Sequence, residues 1–204
     1  GWGTGVVTTT RITHATPAST YAHICHRDAE NDIASQLVPS SQGDTYQRYN
    51  VKLKDGVDVI LGGGKRQFLP KDQGGERIDF RYFFSEMQQA GYRVVYDQTQ
   101  LSQMKLGKNE KLLGLFNTSH LNYDLDRTKK NLPEPSLKQM TLAALDILTQ
   151  NKNGFFLMVE GGRIDHALHD TNAKRALQDT IALNEALDAT IKKLRQSDPE
   201  LKNT

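Results

Sequence analysis

The sequence predicts an α/β fold with a mainly parallel sheet flanked by helices. Short apolar segments alternate with helical patterns, which is typical of strands joined by helical crossovers. The clearest strand is the apolar run 155–159, which we expect to be buried on both faces. Gly161 and Gly162 then allow a tight turn, and a long helical pattern follows. Glu160 therefore lies at the carboxyl end of a strand, where open α/β sheets bind their ligands.

Composition limits the classes of function. The 204 residues suffice for one sizeable core or a domain and a half. The 26 basic and 24 acidic residues nearly balance, so no nucleic acid or acidic membrane surface is indicated as a partner. Cys25 is the one cysteine, which excludes an intrachain disulfide, and no apolar run approaches the roughly 20 residues that span a bilayer. The start at Gly-Trp-Gly, without methionine, is typical of a piece of a longer protein.

The remaining elements are predicted from periodicity, caps and turn residues. We expect further strands at 5–10, 57–61, 92–96 and 112–116, and helices at 16–27, 32–37, 83–90 and 136–148. A last helix begins at 173 and could run about 25 to 30 residues. Its apolar stripe is predicted to be core and comprises Ala176, Leu177, Ile181, Leu187, Ile191 and Leu194. The chain is interpreted as a single partial domain, 1–204, with loop insertions near 39–56 and 65–81 and a polar loop at 117–135.

Asp165 and His169 are the first candidate ligands. They are four residues apart, so they share one face if the helix has begun. A carboxylate and an imidazole that converge in this way form half of a tetrahedral zinc site or part of a more oxygen-rich site. The alternative is that Asp165 caps the helix and His169 is merely exposed. The density of ionisable residues directly after a buried strand favours metal binding.

A second group of candidates follows the first strand. His14 and Thr16 are predicted at its carboxyl end, level with Glu160. The hydroxyl of Thr16 and the carboxylate of Glu160 suit a hard cation such as magnesium, although Thr16 is also a plausible helix cap. The guanidinium of Arg27 matches two oxyanion oxygens at once, with a solvated surface charge as the alternative. The glycines 62–64 are interpreted as a turn with close packing.

Three blocks of the sequence form a recognisable set. They are Val-Val-Thr-Thr-Thr-Arg with His-Ala-Thr-Pro-Ala, then Asp-Val-Ile-Leu-Gly-Gly-Gly, and finally Val-Glu-Gly-Gly-Arg-Ile-Asp-His-Ala-Leu-His. Together they resemble the alkaline phosphatases, in the order of that family and over residues 5–196. The resemblance implies the three-layer sandwich of that family, incomplete in this chain.

The resemblance also implies metal ligands. Thr16 and Glu160 match the family's magnesium ligands, and Asp165 and His169 match two ligands of one catalytic zinc. The cofactors implied for a full active site are two Zn²⁺ and one Mg²⁺. The other zinc ligands of the family have no counterpart within these residues.

Further matches concern the phosphate and the surroundings of the metals. Arg27 matches the arginine that grips the substrate phosphate. His14 and His166 match positions that line the metal cluster without binding the metals directly. Animal members of the family carry a calcium site, for which Phe116 is in place. Asn117 stands where a carboxylate is expected there, and Glu134 could still contribute.

The activity that the resemblance implies is hydrolysis of small-molecule phosphate monoesters through a phosphoserine intermediate. The family's serine nucleophile has no counterpart in the chain, so we expect the parent protein to be an enzyme and this chain alone to be inactive. A homodimeric parent and a periplasmic or extracellular location are also implied.

Two other functions stay open. One is a phosphodiesterase or sulfatase-like relative in the same superfamily. Arg27 together with Thr16 and Glu160 argues against it, because the magnesium site belongs to the monoesterase branch. The other is a non-catalytic module that binds metal or phosphate, which the missing nucleophile permits.

Overall fold

The sheet is the centre of the molecule. A computed structural model describes residues 1–39, 53, 55–105, 107 and 109–202. Its strands are β1 (Gly3–Arg11), β2 (Val59–Gly63), β3 (Tyr92–Val95), β4 (Lys111–Leu115) and β5 (Phe155–Glu160). They run parallel in the order β3-β4-β2-β1-β5. The predicted parallel α/β sheet is confirmed, whereas most of the predicted loop at 39–56 lies outside the described residues.

Helices cover both faces of the sheet. They are α1 (Ala15–Ala18), α2 (Glu30–Ser35), α3 (Phe83–Gln89), α4 (Gln98–Gln103), α5 (Asp124–Lys129), α6 (Leu137–Leu148), α7 (Arg163–His169) and α8 (Ala173–Leu194). Neighbouring residues of a strand point to opposite faces. Val6 and Ile60 accordingly pack in a core with α2 and α3, and Val7 and Leu61 pack in a second core with α6. The architecture is therefore three layers, with the sheet in the middle.

Helix α6 begins with a capping box. The Ser136 hydroxyl accepts a hydrogen bond from the Gln139 backbone N–H at 3.2 Å, and the Gln139 side chain accepts one from the Ser136 N–H at 2.8 Å. Met140, Ala144 and Leu148 follow at four-residue spacing and are buried against the sheet. The predicted helix at 136–148 is confirmed.

The first helix is shorter than predicted. It was expected to continue to Arg27, but α1 ends at Ala18, and α2 begins at residue 30 rather than 32. The hydroxyls of Ser19 and Thr20 each donate at 2.7 Å to a carbonyl oxygen three residues earlier. Such side-chain bonds compete with the backbone N–H groups that would continue the helix. The prediction of a helix over 16–27 is therefore wrong.

Helix α8 buries only part of the apolar stripe that the sequence predicts as core. Leu177, Ile181 and Leu187 are each half exposed or more. Of the predicted stripe, Ala176 and Leu194 are buried, and the other buried positions are the polar Asp179 and the small Ala182 and Ala186. Small side chains let α8 lie close to α6 and α7. The prediction that the whole stripe is core is wrong for the described residues, because periodicity identifies an apolar face but not what packs on it. No helix in the described ranges is long and apolar enough to cross a membrane.

Strand β5 lies at one edge of the sheet. Among the described strands it pairs with β1 alone. Phe155, Leu157 and Val159 pack into the second core, whereas Phe156 is about half exposed. The prediction that this strand is buried on both faces is therefore wrong for the described residues. A continuous apolar run predicts a strand, but not its place in the sheet.

Two segments that the sequence predicts as loops contain more structure. In 65–81, Phe68 is fully buried and the Arg77 guanidinium lies 3.7 Å from the centre of the Phe83 ring. In 117–135, the chain forms α5. Polar and charged residues are frequent in both segments, and this composition obscures the few side chains that anchor them.

The backbone conformation of Phe80 is expected to lower the free energy of unfolding of the protein. Its φ is 59°, a left-handed value that is unfavourable for a bulky residue, and its side chain is 80% exposed. We expect Phe80→Gly to raise the free energy of unfolding by about 1 kcal/mol, because glycine adopts this conformation without a Cβ clash. Urea denaturation would measure the change. Phe80→Ala is the control, since it removes the ring and keeps the clash; equal stability of the Gly and Ala variants would contradict the prediction.

Candidate metal and phosphate site

Glu160 lies at the carboxyl end of β5, beside the end of β1. The register pairs it with Thr8. The Thr8 hydroxyl donates to Glu160 Oε2 at 2.6 Å, and the Thr10 hydroxyl donates to the same oxygen at 3.3 Å. The other carboxylate oxygen, Oε1, has no hydrogen-bond donor within the described part of the chain. Two threonines therefore orient the carboxylate and leave one oxygen available for a ligand.

The turn after Glu160 requires glycine. A Cβ atom on Gly162 would lie 2.3 Å from Thr10 Cγ2 and 2.9 Å from Glu160 Cδ. Any side chain there would push β1 or the Glu160 carboxylate away. Gly162 thus lets α7 start directly beside the carboxylate, as the sequence predicts.

Asp165 and His169 share one face of α7. Asp165 Oδ2 and His169 Nε2 are 3.4 Å apart, and both side chains are largely exposed. The predicted convergence is confirmed. Asp165 does not cap the helix, because the N-cap residue is Gly162. A carboxylate oxygen and an imidazole nitrogen at this separation fit a zinc ion that lies between them and is completed by other ligands.

His14 and Arg27 meet across the end of β1. Arg27 Nη2 lies 3.3 Å from His14 Nε2, although the two residues are separated by an irregular segment. His14 is the N-cap residue of α1, so the prediction that Thr16 caps the helix is wrong. Thr16 is exposed within α1, and its hydroxyl has no hydrogen-bond partner among the described residues. That hydroxyl and the free oxygen of Glu160 fit the oxygen ligands that magnesium prefers.

Three histidines form a cluster at this edge. His14 lies 5.2 Å from His120 and 5.3 Å from His166 between ring centres, and His120 lies 4.4 Å from His166. One ring nitrogen from each lies within 4.8 Å of the others. His120 comes from the segment between β4 and α5, and sequence reasoning missed it. Its sequence neighbours are ordinary loop residues, so the one signal that could have found it is its place after the end of a parallel strand.

Two arginines border the cluster. The Arg11 backbone N–H donates to His120 Nδ1 at 3.0 Å, and Arg11 Nη1 lies 2.6 Å from His120 Nε2. Arg163 Nη1 lies 2.8 Å from His166 Nδ1. Burial and then the charge of Arg11 lower the pKa of His120 to about 2, and burial and then Arg163 lower the pKa of His166 to about 4. Both rings are therefore neutral at pH 7.

The region of the implied calcium site is closed by amides. Glu134 is 4% exposed and accepts hydrogen bonds from the side-chain amide of Asn117 and from the Asn122 backbone N–H at 2.9 Å. The Asn122 side chain adds a third donor at 2.7 Å. Asn117 Oδ1 accepts from the Ser119 N–H, which fixes the direction of the amide. Three N–H donors thus satisfy the Glu134 carboxylate. Because position 117 carries an amide, these residues offer a cation one carboxylate and not two.

The fold and this edge define a class of protein. It is an open parallel α/β protein that gathers carboxylates, imidazoles and arginines where strands end, which suits a charged ligand and metal ions. The profile described as alkaline phosphatase matches residues 1–201, and the chain belongs to the alkaline phosphatase family, whose members are metal-dependent hydrolases.

The chain is also similar to individual alkaline phosphatases. The membrane-bound alkaline phosphatase of Bombyx mori is 36% identical over 97% of the chain and 38% of its own length. The crystal structure of Thermus thermophilus alkaline phosphatase has a TM-score of 0.81 and 36% identity, over 96% of this chain and 37% of that one. A variant of the enzyme from the Antarctic bacterium TAB5, solved with magnesium bound, has the same fold at 24% identity, a TM-score of 0.71 and coverages of 97% and 49%. The chain thus spans well under two thirds of the length of these relatives.

Proposed function

We propose that the parent protein hydrolyses phosphate monoesters at a centre of two zinc ions and one magnesium ion, on the edge where β1 and β5 end. The observation that carries this proposal is the convergence of Asp165 with His169, 3.4 Å apart, on the helix that follows Glu160, whose carboxylate has one free oxygen. Membership of the alkaline phosphatase family supports it and favours a monoesterase over a phosphodiesterase or sulfatase.

The metal ligands are assigned by donor chemistry. Glu160 and Thr16 would hold magnesium through oxygen atoms, and Asp165 and His169 would supply two ligands to one zinc. A variant of the TAB5 enzyme with glutamate in place of a histidine was solved with magnesium bound on the same fold. Bound zinc would polarise the oxygens of the phosphoryl group, and bound magnesium would keep neighbouring groups in place.

Arg27 is proposed to bind the substrate phosphate. Its guanidinium is exposed and lies 3.3 Å from His14 Nε2, a contact that holds it towards the histidine cluster. Arginine presents paired N–H donors that match two phosphate oxygens. Recognition through phosphate alone would accept many small-molecule monoesters. His14 and His166 would border the metals and hold neighbouring groups.

The phosphoserine intermediate is proposed from the family. The serine that would form it has no matching motif in these 204 residues, and Asp165 and His169 alone leave a zinc site open. We therefore propose that this chain by itself does not turn over substrate. A homodimeric parent protein with a periplasmic or extracellular location is proposed on the same grounds.

The experiment that tests the function is hydrolysis of 4-nitrophenyl phosphate by the full-length protein, with zinc and magnesium supplied. We expect Asp165→Ala to lower kcat/KM by at least about 100-fold, because a direct zinc ligand matters more than the outer residues that cost 10- to 100-fold. Asp188→Ala is a matched control: Asp188 pairs with Lys192 at the same four-residue spacing and is also exposed. Equal activity of the Asp165 and Asp188 variants would contradict the assignment.

The 204-residue chain is assayed beside the full-length protein under the same conditions. No turnover is expected from it. Turnover that Asp165→Ala abolishes would show that the nucleophile lies within these residues.

A further inference from the structure

Arg163 is held in place by an aromatic side chain. Its guanidinium carbon lies 3.8 Å from the centre of the Tyr123 ring, a cation–π contact. The Tyr123 hydroxyl donates to Asp170 Oδ2 at 2.6 Å. Arg175 also lies against the Tyr123 ring, at 4.7 Å, and forms an ion pair with Asp126 at 2.8 Å. The ring is thereby anchored at its hydroxyl and supported by neighbouring charges, which gives Arg163 a fixed platform.

The contact between Arg163 and His166 defines a tautomer. Arg163 Nη1 lies 2.8 Å from His166 Nδ1. Arginine carries donors and no acceptor, so His166 Nδ1 must be the acceptor. In a neutral imidazole the proton is then on Nε2. His166 therefore presents an Nε2–H donor on its other side.

The tautomer of His166 affects whether the three histidines can bind one metal ion together. Three imidazoles with nitrogens within 4.8 Å of one another resemble a zinc site. A ring nitrogen that carries a proton cannot bind a metal, however, and the Arg11 backbone N–H donates to His120 Nδ1, which leaves the proton of that neutral ring on Nε2. These hydrogen bonds from arginine therefore disfavour a metal ion that is bound by all three rings at once. They favour histidines that act through hydrogen bonds.

We propose that Arg163 and Tyr123 are positioning residues that set the Nε2–H tautomer of His166 and thereby make this ring a hydrogen-bond donor. The inference rests on the proposed function, because the acceptor in question is an oxygen of the phosphate or of water at that site. His166 follows Asp165 directly and lies beside His14, which contacts Arg27. His166 therefore lies at the same edge of the sheet as the residues assigned to metal and phosphate.

The test is ¹H–¹⁵N correlation NMR of the histidine rings, which separates protonated from unprotonated ring nitrogens. The sample is the full-length protein labelled at histidine, with and without zinc and magnesium chloride. We expect His166 Nε2 to carry the proton in both samples. A proton on Nδ1, or direct bonding of zinc to Nε2, would overturn the proposal with no variant needed.

Variants then identify the residues that set the tautomer. Arg163→Met is expected to give a mixture of the two tautomers of His166, and Tyr123→Leu a smaller shift in the same direction. Arg175→Met is the matched control, because Arg175 touches the same ring and contacts no histidine within the described ranges; it should leave His166 unchanged. An unchanged tautomer in a folded Arg163→Met would overturn the role of Arg163. Because the readout is independent of turnover, loss of the proposed phosphatase function would not imitate this result.

Discussion

Replacing Glu30 by alanine is expected to lower the free energy of unfolding by about 3 to 5 kcal/mol, the usual cost of leaving one member of a buried ion pair without its partner. Glu30 and Arg11 are 12% and 14% exposed. Arg11 Nε and Nη2 donate to the carboxylate at 2.6–3.0 Å, and Thr13 adds a hydroxyl donor at 2.5 Å. Without Glu30 the Arg11 charge would remain enclosed beside His120.

The pH dependence of this effect has a definite sign. Burial alone would raise the pKa of Glu30, but the hydrogen bonds from Arg11 and Thr13 outweigh burial and lower it below 4.5. A lowered folded-state pKa gives stability that is present above the unfolded pKa and is lost as the pH falls. The difference between wild type and Glu30→Ala should thus be complete at pH 7 and shrink below about pH 4.5.

Urea denaturation at pH 7 and at pH 3.5 would measure both effects. Asp28→Ala is the control, because Asp28 pairs with His26 in an exposed position and should change stability by less than about 0.5 kcal/mol. A loss below about 1 kcal/mol for Glu30→Ala at pH 7 would contradict the prediction.

Replacing Asp179 by asparagine is expected to have the opposite effect and to stabilise the protein at neutral pH. Asp179 is 3% exposed and accepts one hydrogen bond, from the Asp124 backbone N–H at 3.2 Å. Burial raises its pKa to about 6 against the opposing hydrogen bond from Asp124. Relative to the ordinary value of 3.8, this shift corresponds to about 3 kcal/mol of cost for the ionised form.

The sign again follows from proton binding. Between pH 4 and pH 6 the folded protein holds a proton on Asp179 that the unfolded chain has lost, so stability falls as the pH rises. Asparagine keeps the acceptor oxygen and carries no charge. We expect Asp179→Asn to gain about 2 to 3 kcal/mol at pH 7 and nothing below about pH 4.

Denaturation across this pH range would measure the gain. Asp188→Asn, an exposed position on the same helix, should change stability by less than about 0.5 kcal/mol at every pH. A constant difference between Asp179→Asn and wild type at all pH values would show that folding does not shift the pKa of Asp179, and it would contradict the prediction.

Local patterns predicted the elements that depend on neighbours in sequence. The apolar periodicity after Ser136 and the apolar run after Gly154 each specify an element within a few residues, and both elements are present. The spacing of Asp165 and His169 predicted a shared helix face for the same reason. Where short-range hydrogen bonds compete with a pattern, as at Ser19 and Thr20, the helix prediction was wrong.

Other features depend on residues that are distant in sequence. Thr8 orients Glu160 across a separation of 152 residues, and the contact exists only because β1 and β5 pair in register. His120 joins His14 and His166 from a third segment. No periodic pattern in the sequence predicts such contacts, since the residues of one segment do not determine where the other two segments lie in space.

By itself, the sequence determined a parallel α/β protein whose candidate ligands follow strand ends, because apolar runs, glycine turns and residue spacing act locally. The tertiary structure alone decided which face of α8 is buried and where β5 lies in the sheet. It also decided which histidine ring nitrogens lie next to the Arg11 and Arg163 guanidinium groups. These outcomes depend on strand order and packing. Burial and charge then act on whichever groups the packing has brought together.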